Sequence, residues 1–156
     1  DGRVADAAVR HLASALARLA EGGRLVAVTG AGLAPDHPAW RDTFVRLQER
    51  GRVVFSAAID GRVYARYGTT VDTRLTVVDR VPADDPAVFP ASPGMAPDVA
   101  TLLNWVRRDV PPRASVSEII AWTLRLFVPV GERGPAVFAA LLARHPLLRV
   151  VDRTGP

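Results

Sequence analysis

The chain has 156 residues, 49% of them hydrophobic and 23% charged, which suits one domain with a sizeable core and argues against disorder. Its net charge is +4, every basic residue is Arg, and the absence of Cys excludes disulfides, thiolate metal sites and Cys nucleophiles. No apolar run approaches the roughly 18–20 residues that span a bilayer, and the opening DGRVADAAVR has neither a signal-peptide layout nor an initiator Met, so an internal or processed piece of a cytoplasmic protein is expected, with no membrane partner.

In chain order, Val4, Ala8, Leu12, Ala15, Leu16 and Leu19 recur at helical spacing, and Gly22-Gly23 ends that helix. Arg24–Thr29, with Val26 and Val28, reads as a short buried strand. Gly30–Pro38 is a loop in which Asp36 is placed to cap a second helix, Ala39–Arg50, whose Trp40, Phe44, Val45 and Leu47 face inward. Arg52–Ile59 is a second strand, and Asp60-Gly61 signals a turn. Thr70–Val81 alternates as a third strand near a sheet edge. The connection before it is too short for a helical crossover, so this last strand is expected to run antiparallel to its partner.

From Pro82 the chain turns rich in Pro, Ala and Asp and reads as a linker or wrapping segment. Asp98 caps a short helix to about Arg108, which Pro111-Pro112 stop. Ser115-x-x-Glu118 has the capping-box pattern for a further helix to about Phe127. Gly131–Gly134 breaks the chain, Pro135–Arg144 reads as another helix, and Leu147–Val151 as a short strand or tail. The expected organisation is α/β over residues 1–81, a Pro-rich linker with a short helix over 82–113, and a helical segment over 114–156.

Two places invite a ligand. Thr29, Gly30 and Gly32 form a TGAG turn after a strand, where backbone N–H groups can approach a phosphate. With Trp40-Arg41 downstream, the turn resembles the nucleotide-binding start of sirtuins, but the zinc-site cysteines and other motifs of that family are missing, as is a G-x-G-x-x-G fingerprint. The second place is the segment holding Tyr64, Arg66, Tyr67, Thr69, Thr70 and Thr73. An exposed aromatic at a loop rim can stack on a base, and neighbouring Arg and Thr groups can hold phosphates or base edges. The three histidines, His11, His37 and His145, lack metal-ligand spacing, and no serine sits in a G-x-S-x-G elbow.

Over residues 1–113 the chain resembles Class I methyltransferases of the adenine-N6 DNA type, most closely the methylase portion of strawberry-notch-like methylase/helicase proteins of bacterial mobile elements. The resemblance is carried by GGRLVAVTG, by Pro38-Ala39-Trp40-Arg41, by the run from Phe44 through Pro86 and by FPASPGMAPD. It implies the rear half of a Rossmann-like methyltransferase sheet ending in an antiparallel hairpin, with Tyr64 matching the aromatic that stacks on a flipped adenine. DNA would be the partner, and the missing N-terminal half-domain or a helicase domain a second one. S-adenosylmethionine would be the cofactor of the complete protein. This chain has no glycine-rich cofactor motif, no acidic ribose ligand and no N-P-P-[FY], so by itself it is expected to bind no cofactor and to be inactive. The alternative is a non-enzymatic α/β module that binds nucleic acid or a partner protein.

Overall fold

A computed structural model describes residues 2–113 of the chain, which fall within one unit, Asp1–Ser115. The expected helices and strand beyond residue 113 lie outside the described residues. Four strands form one mixed sheet in the order β1-β3-β2-β4, with β1 Arg24–Gly30, β2 Arg52–Ile59, β3 Thr73–Asp79 and β4 Met95–Ala96. The helices are α1 Gly2–Arg18, α2 Arg41–Gln48 and α3 Val99–Asp109, with a 3-10 helix at Gly61–Tyr67.

The third strand is antiparallel to both of its neighbours, as the short connection demands. Its place corrects the expectation of an edge strand: β3 is inserted between β1 and β2. Both faces of β3 are covered over Thr76–Asp79. Successive side chains of a strand point to opposite faces. Val78 accordingly joins Leu12, Leu16, Leu33, Phe44 and Val53 under α1 and α2, while Val77 joins Val54, Phe55 and Ala57 under Leu102, Trp105 and Val106 of α3. Burying side chains such as Phe44, Phe55, Val77 and Val78 contributes about 1.5–3 kcal/mol each. A β-bulge between Val53 and Phe55 lets Val54 and Phe55 both reach the α3 side.

β1 is not the buried strand its composition suggests. It is an edge strand, and Val26 and Val28 are 58% and 59% exposed. Its other face is covered by α1, so Leu25 and Ala27 pack into the core. At its start, Arg24 grips the fully buried Asp79 with two hydrogen bonds of 2.6 and 2.8 Å and also donates to the Pro111 carbonyl at 2.8 Å. These bonds to the carboxylate hold the guanidinium pKa above its ordinary value.

Asp36 does not cap α2. Trp40 takes the N-cap position and makes no side-chain cap bond, because a preceding turn, with Trp40 N–H donating to the His37 carbonyl, delays the helix to Arg41. The Pro-rich segment after β3 wraps the sheet. Gln48, fully buried at the end of α2, donates from Nε2 to the Pro86 and Val88 carbonyls and accepts at Oε1 from the Val53 N–H. Arg41 holds the Ala87 carbonyl, and Phe89 meets Phe44 edge to face. This strap delivers Met95–Ala96 to the far edge of the sheet as β4, a strand not anticipated, which lies parallel to β2. Asp98 then caps α3 as expected, accepting from the Thr101 N–H at 2.7 Å. Among the described residues, no helix is long and apolar enough to cross a membrane.

Candidate functional site

β1, β2 and β4 all run the same way, and their carboxyl ends lie along one rim. Gly30 and Ile59 both face Thr73 in the register, and Ile59 faces Ala96. Crevices outside the carboxyl ends of parallel strands are the usual ligand sites of α/β sheets. Both sequence-predicted places fall on this rim. The TGAG run lies at one end, where, contrary to expectation, Thr29 and Gly30 still belong to β1 and the turn itself is Ala31-Gly32, and the aromatic segment follows β2 nearer the other end.

The segment from Asp60 to Thr73 is not an open hairpin bend. Asp60 caps a 3-10 helix, accepting from the Arg62 N–H at 2.8 Å, and Gly68 ends it in a left-handed conformation, φ +81°. The returning loop folds tightly over Gly61. The Gly61 N–H donates to Asp72 Oδ1 at 2.8 Å, and a Cβ on Gly61 would collide with the Thr70 carbonyl.

This geometry sorts the candidate side chains. Tyr64 is half-buried, its hydroxyl 3.0 Å from Thr73 Oγ1, so the pair pins the helix to the first residue of β3. Tyr67 is 68% exposed, and the Arg66 guanidinium lies over its ring, 4.6 Å from the centroid. Thr69 and Thr70 are exposed beyond Gly68. Arg62, Val63, Tyr64, Arg66 and Tyr67 form one wall of an open cleft of about 870 Å³, and Pro97, Asp98 and Val99 form the other.

The carboxylates beside this cleft are spent on local bonds. Asp60 pairs with Arg62 at 2.6 Å, and that side-chain hydrogen bond, with the Arg62 N–H, holds its pKa below the usual range. Asp98 is likewise held low by its bonds to Thr101. Arg66 makes no ion pair or hydrogen bond among the described residues, so it is the cleft's uncommitted cation. No carboxylate here is poised as a general base, and among the described residues no cluster of His, Cys, Asp or Glu could hold a metal. The cleft offers stacking, charge and shape.

The TGAG turn stands apart from this cleft. Thr29 is half-buried, and Gly30 and Gly32 keep negative φ with open space around them. Two of the amides that a phosphate would need are already engaged: Ala31 N–H donates to the Asp72 carbonyl and Leu33 N–H to that of Gly30. Beneath the turn lies a residue that sequence reasoning missed. Arg74 donates from Nε to the Ala31 carbonyl at 3.0 Å and from Nη1 to Ser56 Oγ at 3.1 Å. Its partial burial pushes its pKa down, with Asp36 opposing. The available signal was the single cation inside the strand TRLTVVD, where a half-buried guanidinium needs partners.

No protein-family model, curated protein sequence or solved structure matches this chain.

Proposed function

We propose that the chain is the rear half of an adenine-N6 DNA methyltransferase domain, of the type fused to a helicase, and that this half supplies DNA contact and not the transfer step. The observation that carries the reading is the sheet order, in which β3 returns antiparallel between two strands that run parallel to each other. This arrangement suits the closing end of a Rossmann-like sheet. Two features support a missing front half. Among the described residues nothing pairs with the edge of β1 or covers the exposed Val26 and Val28, and α1 packs on the sheet and feeds β1 as the crossover helix of a right-handed βαβ unit does. The absent half-domain would place its last strand along that edge and bring S-adenosylmethionine and the N-P-P-[FY] motif, in the cytoplasm where DNA and methyl donor meet.

The test is the coding DNA upstream of Asp1. An in-frame N-P-P-[FY], preceded by a glycine-rich strand-turn, is the expected finding, and a start codon or unrelated sequence there overturns the reading. In the complete protein, methyl transfer to adenine is expected, and the chain alone should show none.

A second reading is a binding module without chemistry. It is favoured by the cleft's lack of an uncommitted carboxylate. Its mark would be DNA affinity that falls steeply with salt and does not respond to S-adenosylmethionine.

A further inference from the structure

We propose that the Arg66–Tyr67 pair, rather than Tyr64, is the stacking platform of the rim, and that its ligand is single-stranded nucleic acid lying in the cleft between the 3-10 helix and the start of α3. The inference rests on the nucleic-acid reading of this site and is independent of methyl transfer.

Three observations carry it. The first is which aromatic face is available. Tyr64 is half-buried and its hydroxyl is bonded to Thr73, so it braces the helix against β3. Tyr67 is mostly exposed, and its ring and the Arg66 guanidinium form a two-layer stack at 4.6 Å. A base can extend that stack, since both a guanidinium plane and an aromatic ring accept one. The second is charge. Asp60 is paired with Arg62, and the Asp98 carboxylate, still charged, is turned to the Thr101 N–H of α3, whereas Arg66 has no ion-pair partner among the described residues and is free to meet a phosphate. The third is shape. The cleft is open, about 870 Å³, and its opposite wall is Pro97 and the exposed Val99, an apolar surface for the edge of a stacked base. Exposed Thr69 and Thr70 continue the rim as hydroxyl donors to a backbone.

These features select a single strand over a duplex. In a duplex the base faces are already stacked on one another, and a short helix that projects a ring into solvent has nothing there to stack on. An unpaired strand presents every base face, and stacking on them tolerates any sequence.

The test is fluorescence anisotropy with the purified chain, a labelled twelve-nucleotide oligothymidylate and a duplex of the same length, at two salt concentrations and without any methyl donor. Wild type is expected to bind the single strand more tightly than the duplex. Tyr67→Leu should weaken binding about tenfold, while Tyr67→Trp restores it. Arg66→Gln should weaken binding and reduce the salt slope by about 0.7. Arg10→Gln, an exposed cation on α1, should change neither. Tyr67 is exposed, so its variants are expected to keep the wild-type melting temperature. No strand binding by wild type, unchanged affinity in Tyr67→Leu, failure of Tyr67→Trp to rescue, or tighter binding of the duplex would each overturn the proposal. Because no methylation is scored, such a failure leaves the methyltransferase reading standing. A complete protein that binds the strand through Tyr67 yet methylates nothing would sink that reading alone.

Discussion

Gly61 sits where a side chain has no room. The Thr70 backbone lies against it, so a methyl group there must push aside a peptide unit and not a flexible side-chain tip. We expect Gly61→Ala to cost about 3 kcal/mol in urea denaturation, the upper end for overpacking, and to break the Tyr64–Thr73 contact by lifting residues 68–72. Wild-type stability in this variant would mean that the loop does not close over Gly61. At this scale the sequence was informative about residue types but not about their roles. Tyr64 and Tyr67 are near neighbours with the same side chain, and only the fold distinguishes a brace from an exposed ring. Asp98 was legible because capping is local chemistry, read within three positions. Arg74 was not, since its partners Ala31 and Ser56 come from other strands and turns.

Elements were easier to foresee than their neighbours. β2 occupies the expected Arg52–Ile59, and α3 begins after the expected cap. Helix and strand periodicity are written in consecutive residues, whereas pairing is decided by distant ones. The central place of β3, the edge position of β1 and the existence of two-residue β4 therefore went unread. The Pro-rich stretch has no periodicity, yet one buried amide ties it down at Pro86 and Val88, beside the contacts of Arg41 and Phe89. Gln48 satisfies two strap carbonyls and one strand N–H, which together replace what water would have given them. We expect Gln48→Ala to cost about 3 kcal/mol, since it strands buried polar groups as well as losing bonds. Limited proteolysis within residues 82–94 should also quicken. Unchanged cleavage would show that the strap is held by Phe89 and Arg41 without the amide.

Across the described residues as a whole, the two faces of the sheet are unequally covered. α1 and α2 pack on one side, while on the other α3 covers β2 and β3 but leaves Val26 and Val28 of β1 exposed beside an edge that no described residue pairs with. Such an edge is a template for association. The double variant Val26→Thr, Val28→Thr keeps strand-forming residues on an exposed face and is expected to alter stability by no more than about 0.5 kcal/mol. Its binding of an apolar dye, and its self-association in sedimentation, should both fall; no change in either would show that this surface is not the sticky one. The sheet order also sets a timetable for synthesis. Among the described residues β1 pairs with β3, and β2 pairs with β3 and the later β4, so the β1–β3 and β2–β3 ladders both wait until residues 73–79 exist. Insertion of β3 between β1 and β2 is the event that closes both of these ladders. Folding limited by such non-local pairing is slow compared with that of helical bundles, and the nascent chain is most open to misassociation in the moments before β3 emerges.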